Sequence, residues 1–155
     1  MENPTTPQEM APPSDMYRTS RGQIEHFDNA INVRVIWLSI GQSFFFGVYA
    51  TLVSIKAPTP DLLDKQKILT IILPIAALLT ALFTLFDVIA NLVYMRRLRL
   101  TYEENTKDIE SDRIYPYIWG KPTDRVFQHS SPTLIPIIFI ISWVVILLYT
   151  YNVIK

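Results

Sequence analysis

Residues 67–97, KILTIILPIAALLTALFTLFDVIANLVYMRR, leave few folds open to this chain. From Ile68 to Met95 there are 28 residues and one formal charge, Asp87. A helix of that length extends roughly 42 Å, against roughly 30 Å for the apolar core of a bilayer. Soluble helices are seldom apolar on every side over such a distance. The stretch therefore predicts a membrane span that tilts or projects into water. Its polar residues are grouped. At about 100° per residue Thr80, Thr84, Asp87, Asn91 and Tyr94 share an arc of roughly 80°, extended by Ala76 and Ala77. A polar stripe inside a span calls for protein or water on that side, not lipid.

Two further blocks have the same character. Residues 33–55, VRVIWLSIGQSFFFGVYATLVSI, carry one charge, Arg34, in the first turn, where a long side chain snorkels to the headgroups. Residues 132–154, PTLIPIIFIISWVVILLYTYNVI, carry none, and Lys155 follows. Ser131 and Pro132 fit a helix start, with Pro at the first helical position. The predicted fold class is thus all-α: a polytopic membrane protein with three transmembrane helices at about 33–55, 68–95 and 132–154. Pro58 and Pro60 break the helix within a short connection, 56–66, which makes the first two spans an antiparallel hairpin with the third helix beside it. Placing Asp61 at the turn centre sets Asp87 level with about Val35.

Outside the spans the chain changes composition. Residues 1–19, with four of the eleven prolines, read as a disordered tail ahead of a single domain, 20–155. Ser20 and Gln23 fit a capping box, and Ile24, Phe27 and Ile31 form an apolar stripe on a helix that runs into the first span. After Met95, Arg96, Arg97 and Arg99 form a cationic collar. An acidic helical surface follows at 103–112, and residues 115–122, YPYIWGKP, have the composition of an interfacial aromatic belt or a ligand-stacking loop. Ten of the fourteen basic residues lie in the N-terminal segment and the 96–131 connection, while Lys56, Lys65, Lys67 and Lys155 lie on the other side. The positive-inside rule puts the N-terminus, its helical extension and the connection in the cytoplasm and the C-terminus outside.

Several function classes have no support. Basic and acidic residues are equal at 14 each, giving no electrostatic case for nucleic acid. There is no cysteine and there are two histidines, His26 and His129, too few for a metal site. No phosphate-binding loop, nucleophile elbow, zinc-protease helix or dinucleotide fingerprint is present, so neither enzymatic activity nor a cofactor is expected.

What remains is intramembrane chemistry. Asp87 is either a proton, cation or pore-lining site, or a structural lock hydrogen-bonded to Thr84, Asn91 and Ser39. Arg34 lies at its depth but projects away from the small-residue row, so pairing within one chain calls for a twist or a neighbouring subunit. Asn91, Thr84, Thr80 and Gln42 read as interhelical glue or pore lining. In the first span Ser39, Ser43, Gly47 and Thr51 recur every four residues, the small-xxx-small spacing that lets another helix approach closely. The same span carries Trp37-Leu38, Gln42, Phe46 and Tyr49-Ala50. In this string it resembles the opening helix of small bacterial inner-membrane proteins of unassigned function. The likeness extends over the first two spans and implies a bacterial inner-membrane home. The expected function is a non-enzymatic, homo-oligomeric membrane protein that couples to a cytoplasmic partner at 96–131. The alternative is a small ion channel or permeabilising pore lined by Thr84, Asp87 and Asn91. A third class, a proton-coupled exporter, requires Asp87 to titrate with substrate.

Overall fold

The computed structural model describes residues 14–56, 58–105 and 125–154, with side chains at 14–56, 58–105 and 132–151. The described chain forms helices α1 (Asp15–Ser54), α2 (Pro60–Asn105) and α3 (Arg125–Ile154). Stretches of all three, Asp15–Ser54, Pro60–Asn105 and Pro132–Tyr151, are long and apolar enough to cross a membrane. The described residues are almost entirely helical, and three apolar helices of this length are those of a multi-pass membrane protein.

Each helix starts earlier than local sequence signals indicate. Ser14 caps α1, its Oγ accepting the Tyr17 N–H at 3.1 Å, and Asp15 places a negative charge on the positive end of the helix. Ser20, expected as the cap, is instead a buried residue inside the helix. The first turns are held by tertiary contact: Tyr17 is buried and meets Tyr102 of α2 edge-on, with ring centroids 6.3 Å apart. Residues 15–19, expected in the tail, are therefore helical; residues 1–13 lie outside the described residues. Pro60 opens α2 at the first helical position, where its missing N–H has no partner to lose. The connection expected over 56–66 shrinks to 55–59. Similarly, α3 begins at Arg125, so Pro132 and Pro136 lie inside it and do not start it. Membrane helices tolerate such prolines where a neighbour covers them, and Pro136 is fully buried.

Contacts between α1 and α2 run in opposite sense along both helices. Tyr17 meets Tyr102, Phe27 meets Tyr94 at 4.8 Å, Arg34 meets Asp87, Gln42 meets Ala77, and Gln66 reaches back to Leu52. Between α1 and α3 the sense is shared: Gln42 with Trp143, Tyr49 with Thr150. Buried residues in α1 and α2 recur at seven-residue intervals. Tyr17, Ile24, Ile31 and Leu38 do so on α1, and Pro74, Ala81, Val88 and Met95 on α2. That is the spacing of a coiled-coil seam, in which helices stay in contact over long distances by a slow left-handed wrap.

The seam accounts for the excess length of α2. The Arg34–Asp87 pair marks one edge of the apolar region, and from Ile68 to Asp87 is about 30 Å of helix, one bilayer core. Beyond it, α1 and α2 continue side by side for about another 28 Å, counted from Arg34 back to Asp15. Here Ile24, Ile31, Val35, Val88 and Met95 form a buried cluster, flanked by Phe27, Leu92, Leu98 and Ile135. The apolar end of α2 is thus covered by the stripe Ile24–Phe27–Ile31 of a helix whose other faces are polar. α1 and α2 thus stay paired back to the start of α1, a paired extension called the stalk below, with Ile135 of α3 packed on the same cluster.

Candidate functional site

At the centre of the three helices is a closed polar knot. Gln42 is a bulky amide inside a span, yet it is only 1% exposed. Its position eight residues beyond Arg34 sets it about 12 Å inside the apolar region. Burial there requires every polar atom to find a partner. Gln42 Nε2 donates to the Ala77 carbonyl at 2.9 Å and to Thr80 Oγ1 at 3.1 Å, and its Oε1 accepts from Trp143 Nε1 at 2.5 Å. Thr80 Oγ1 in turn donates to the same Ala77 carbonyl at 2.8 Å. One side chain of α1 thereby joins α2 to α3. Ala77 and Ala81, both fully buried, let the backbone of α2 approach closely enough for the amide to reach it. Trp143 is held on its face by Phe46, stacked at 4.4 Å with planes 8° apart, and on its edge by Tyr49 at 5.9 Å. Tyr49 and Thr150 close the next layer with a hydroxyl hydrogen bond of 2.8 Å.

Trp143 is the residue that the sequence reading passed over. A signal was present: it is the one indole N–H in the third block, and such a donor in an apolar helix needs an acceptor. Gln42 is the one amide in the first block, so each is the natural partner of the other.

The polar stripe of α2 divides in two. Thr80 belongs to the knot. Thr84 Oγ1 donates back to the Thr80 carbonyl at 2.9 Å and Asn91 Nδ2 to the Asp87 carbonyl at 2.8 Å, so both are satisfied within their own helix. The Asp87 carboxylate takes an ion pair with Arg34, both side chains about half exposed. The expected bonds from Thr84, Asn91 and Ser39 to that carboxylate are not the ones formed. The pair forms within one chain, without a second subunit. Arg34 does project to one side of the α1–α2 seam, but its long side chain spans the groove to Asp87.

The small-residue row does not form the α1–α2 seam. Ser39, Ser43 and Thr51 donate to the carbonyls of Val35, Ser39 and Gly47 on their own helix. Ser43, Gly47 and Thr51 are exposed, and a Cβ added at Gly47 would meet nothing within 4 Å. The seam passes instead through Val35, Leu38 and Gln42. The seven-residue seam selects a different face of α1.

At the end of the bundle near the α1–α2 connection, the helices part around a cavity of about 440 Å³ whose lining includes Tyr49, Val53, Lys56, Leu63, Lys67 and Tyr149. Gln66 closes one wall, its Nε2 donating to the Leu52 carbonyl and, at 2.8 Å, to the Ile55 carbonyl at the end of α1.

His26 lies on the exposed side of the stalk. The aromatic stretch 115–122, the acidic residues at 108–112, the side chain of His129 and Lys155 lie outside the described residues. Among the described residues no group of three or more His, Asp or Glu side chains is placed to hold a metal ion. No protein-family model, curated protein or solved structure matches the chain.

Proposed function

We propose that the protein is a non-enzymatic membrane protein of the bacterial inner membrane that self-associates through α1 and presents its stalk to a cytoplasmic partner. The observation that carries this reading is the open row Ser43, Gly47 and Thr51, on a helix whose buried residues Val35, Leu38 and Gln42 form the seam on another face. Its hydroxyls are already satisfied by their own helix, so nothing polar needs lipid or water, and the shallow surface accepts a second helix at short range. The spans form an antiparallel hairpin with a third helix, N-terminus in the cytoplasm and C-terminus outside, supported by the ten-to-four distribution of basic residues. The partner-binding element is the stalk with residues 96–131, where Arg96, Arg97, Glu103 and Glu104 are exposed.

Gly47→Leu tests self-association cleanly, because the open space at Gly47 means the substitution leaves the single chain undisturbed. The expected outcome, by light scattering in detergent, is a shift from oligomer to monomer with unchanged helicity. An unchanged mass would remove the proposal.

A pore is the second reading. The centre of one chain is filled by Gln42, Ala77 and Trp143, so conduction would have to pass between chains along the half-exposed Thr84, Asp87 and Asn91. Planar-bilayer recording of the intact oligomer, with Asp87→Asn beside it, separates the two. A cation-selective current weakened by the substitution favours the pore, and silence removes it.

A further inference from the structure

The cavity at the connection end has a chemistry that the central knot and the small-residue row do not use. Its walls are mostly carbon, from Tyr49, Val53, Leu63 and Tyr149, and its volume of about 440 Å³ is that of a ligand site. The polar atoms behind those walls are already committed: the Tyr49 hydroxyl to Thr150, the Gln66 amide to the end of α1. The cationic groups in the lining are the ammonium groups of Lys56 and Lys67, beside the Tyr149 hydroxyl. Lys56 has no hydrogen bond or ion pair among the described residues. Lys67 makes one long contact, 3.4 Å to Asp64 Oδ1, while the other acid nearby, Asp61, is held by Lys65 at 2.8 Å. A cavity that is apolar within and cationic at the mouth matches an anion attached to a hydrocarbon chain.

Its position in the bundle adds to the match. Lys56 follows directly on the end of α1 at Ser54, which is 20 residues and about 30 Å along the helix from Arg34, one bilayer core away. At that level lipid headgroups are the abundant source of such anions. We propose that this cavity binds an anionic phospholipid, its phosphate between Lys56 and Lys67 and the start of an acyl chain against Tyr49, Leu63 and Tyr149. The proposal needs only the membrane placement of the helices, and holds whether or not the chain self-associates.

The experiment is native mass spectrometry of the full-length protein with equal amounts of phosphatidylglycerol and phosphatidylcholine. Retention of phosphatidylglycerol is expected to exceed that of phosphatidylcholine, and each lysine removed by Lys56→Gln or Lys67→Gln is expected to lower that preference about fivefold. Asp64→Asn, which releases Lys67, is expected to raise it. Lys65→Gln serves as the control: it removes a positive charge at the same end but outside the cavity, and it should change the preference less than either rim lysine. Leu63→Trp, filling the cavity, should lower retention of both lipids. Near-UV circular dichroism, reporting the Phe46–Trp143 stack, shows separately that each variant keeps the fold. Equal retention of the two lipids, or a preference that survives Lys56→Gln with Lys67→Gln, overturns the proposal. Displacement of the lipid by millimolar inorganic phosphate overturns the lipid assignment in favour of a free-anion site.

Discussion

Two side-chain pairs set the geometry of this bundle, and they differ in what their loss does. Gln42→Leu removes an amide that serves two other helices and leaves the Trp143 N–H without an acceptor in an apolar setting. A cost of about 1 kcal/mol is expected, because intramembrane hydrogen bonds stabilise only modestly against an unfolded state that finds other partners. Trp143→Phe keeps the stack on Phe46 and removes the donor, so it should cost less, and combining it with Gln42→Leu should add little. Unfolding in mixed micelles measures this, and strict additivity of the two substitutions would show that the pair is uncoupled. Arg34 and Asp87 are about half exposed, where screening weakens an ion pair. A double-mutant cycle with Arg34→Gln and Asp87→Asn is expected to give a coupling of about 0.5–1 kcal/mol, falling as salt is raised. A coupling indistinguishable from zero at low salt would mean the pair contributes nothing to stability.

Helices here are extended by what they touch. The first five turns of α1 carry Glu25, His26, Asp28 and Asn29 on one side and Tyr17, Ile24 and Ile31 on the other, and the apolar side alone meets α2. A helix with that composition is marginal in water by itself; packing against the overlong α2 stabilises both. Ile24→Ser should therefore open the stalk while leaving the spans intact, at a cost of about 2 kcal/mol. Trypsin cleavage at the exposed Arg18 and Arg21 should then accelerate about tenfold or more, with no change in the melting of the Gln42 layer. If cleavage in the wild type is already as fast as in the variant, the stalk does not form.

At the scale of the whole molecule, the bundle is asymmetric along the membrane normal. One end projects a stalk; the other opens into a cavity with lysines at its mouth. The absence of cysteine makes the orientation directly measurable, since any introduced cysteine is unique. With the N-terminus inside, a membrane-impermeant maleimide should label Thr59→Cys on intact cells and Thr19→Cys only after permeabilisation. The reverse pattern would invert the topology and move the stalk, proposed above to bind a partner, to the outer face.

Much of this was legible from the chain alone, because lipid imposes rules that act residue by residue. Long apolar blocks between charges define the three spans, and equal rise along two connected helices set Asp87 within a residue of its level on α1. Helix ends were read less well: Ser14, Pro60 and Arg125 start their helices because of packing and position, which short motifs at Ser20 and Ser131 do not encode. The choice of faces came only from the tertiary structure. A helical wheel turned at about 100° per residue treats α1 as straight, and on it the Ser39–Thr51 row looks like the contact face. The buried residues instead follow a seven-residue repeat, which puts the seam at Ile31, Leu38 and Gln42 and leaves that row open. Which polar side chains meet is then decided by reach across the seam, and that depends on three helices at once.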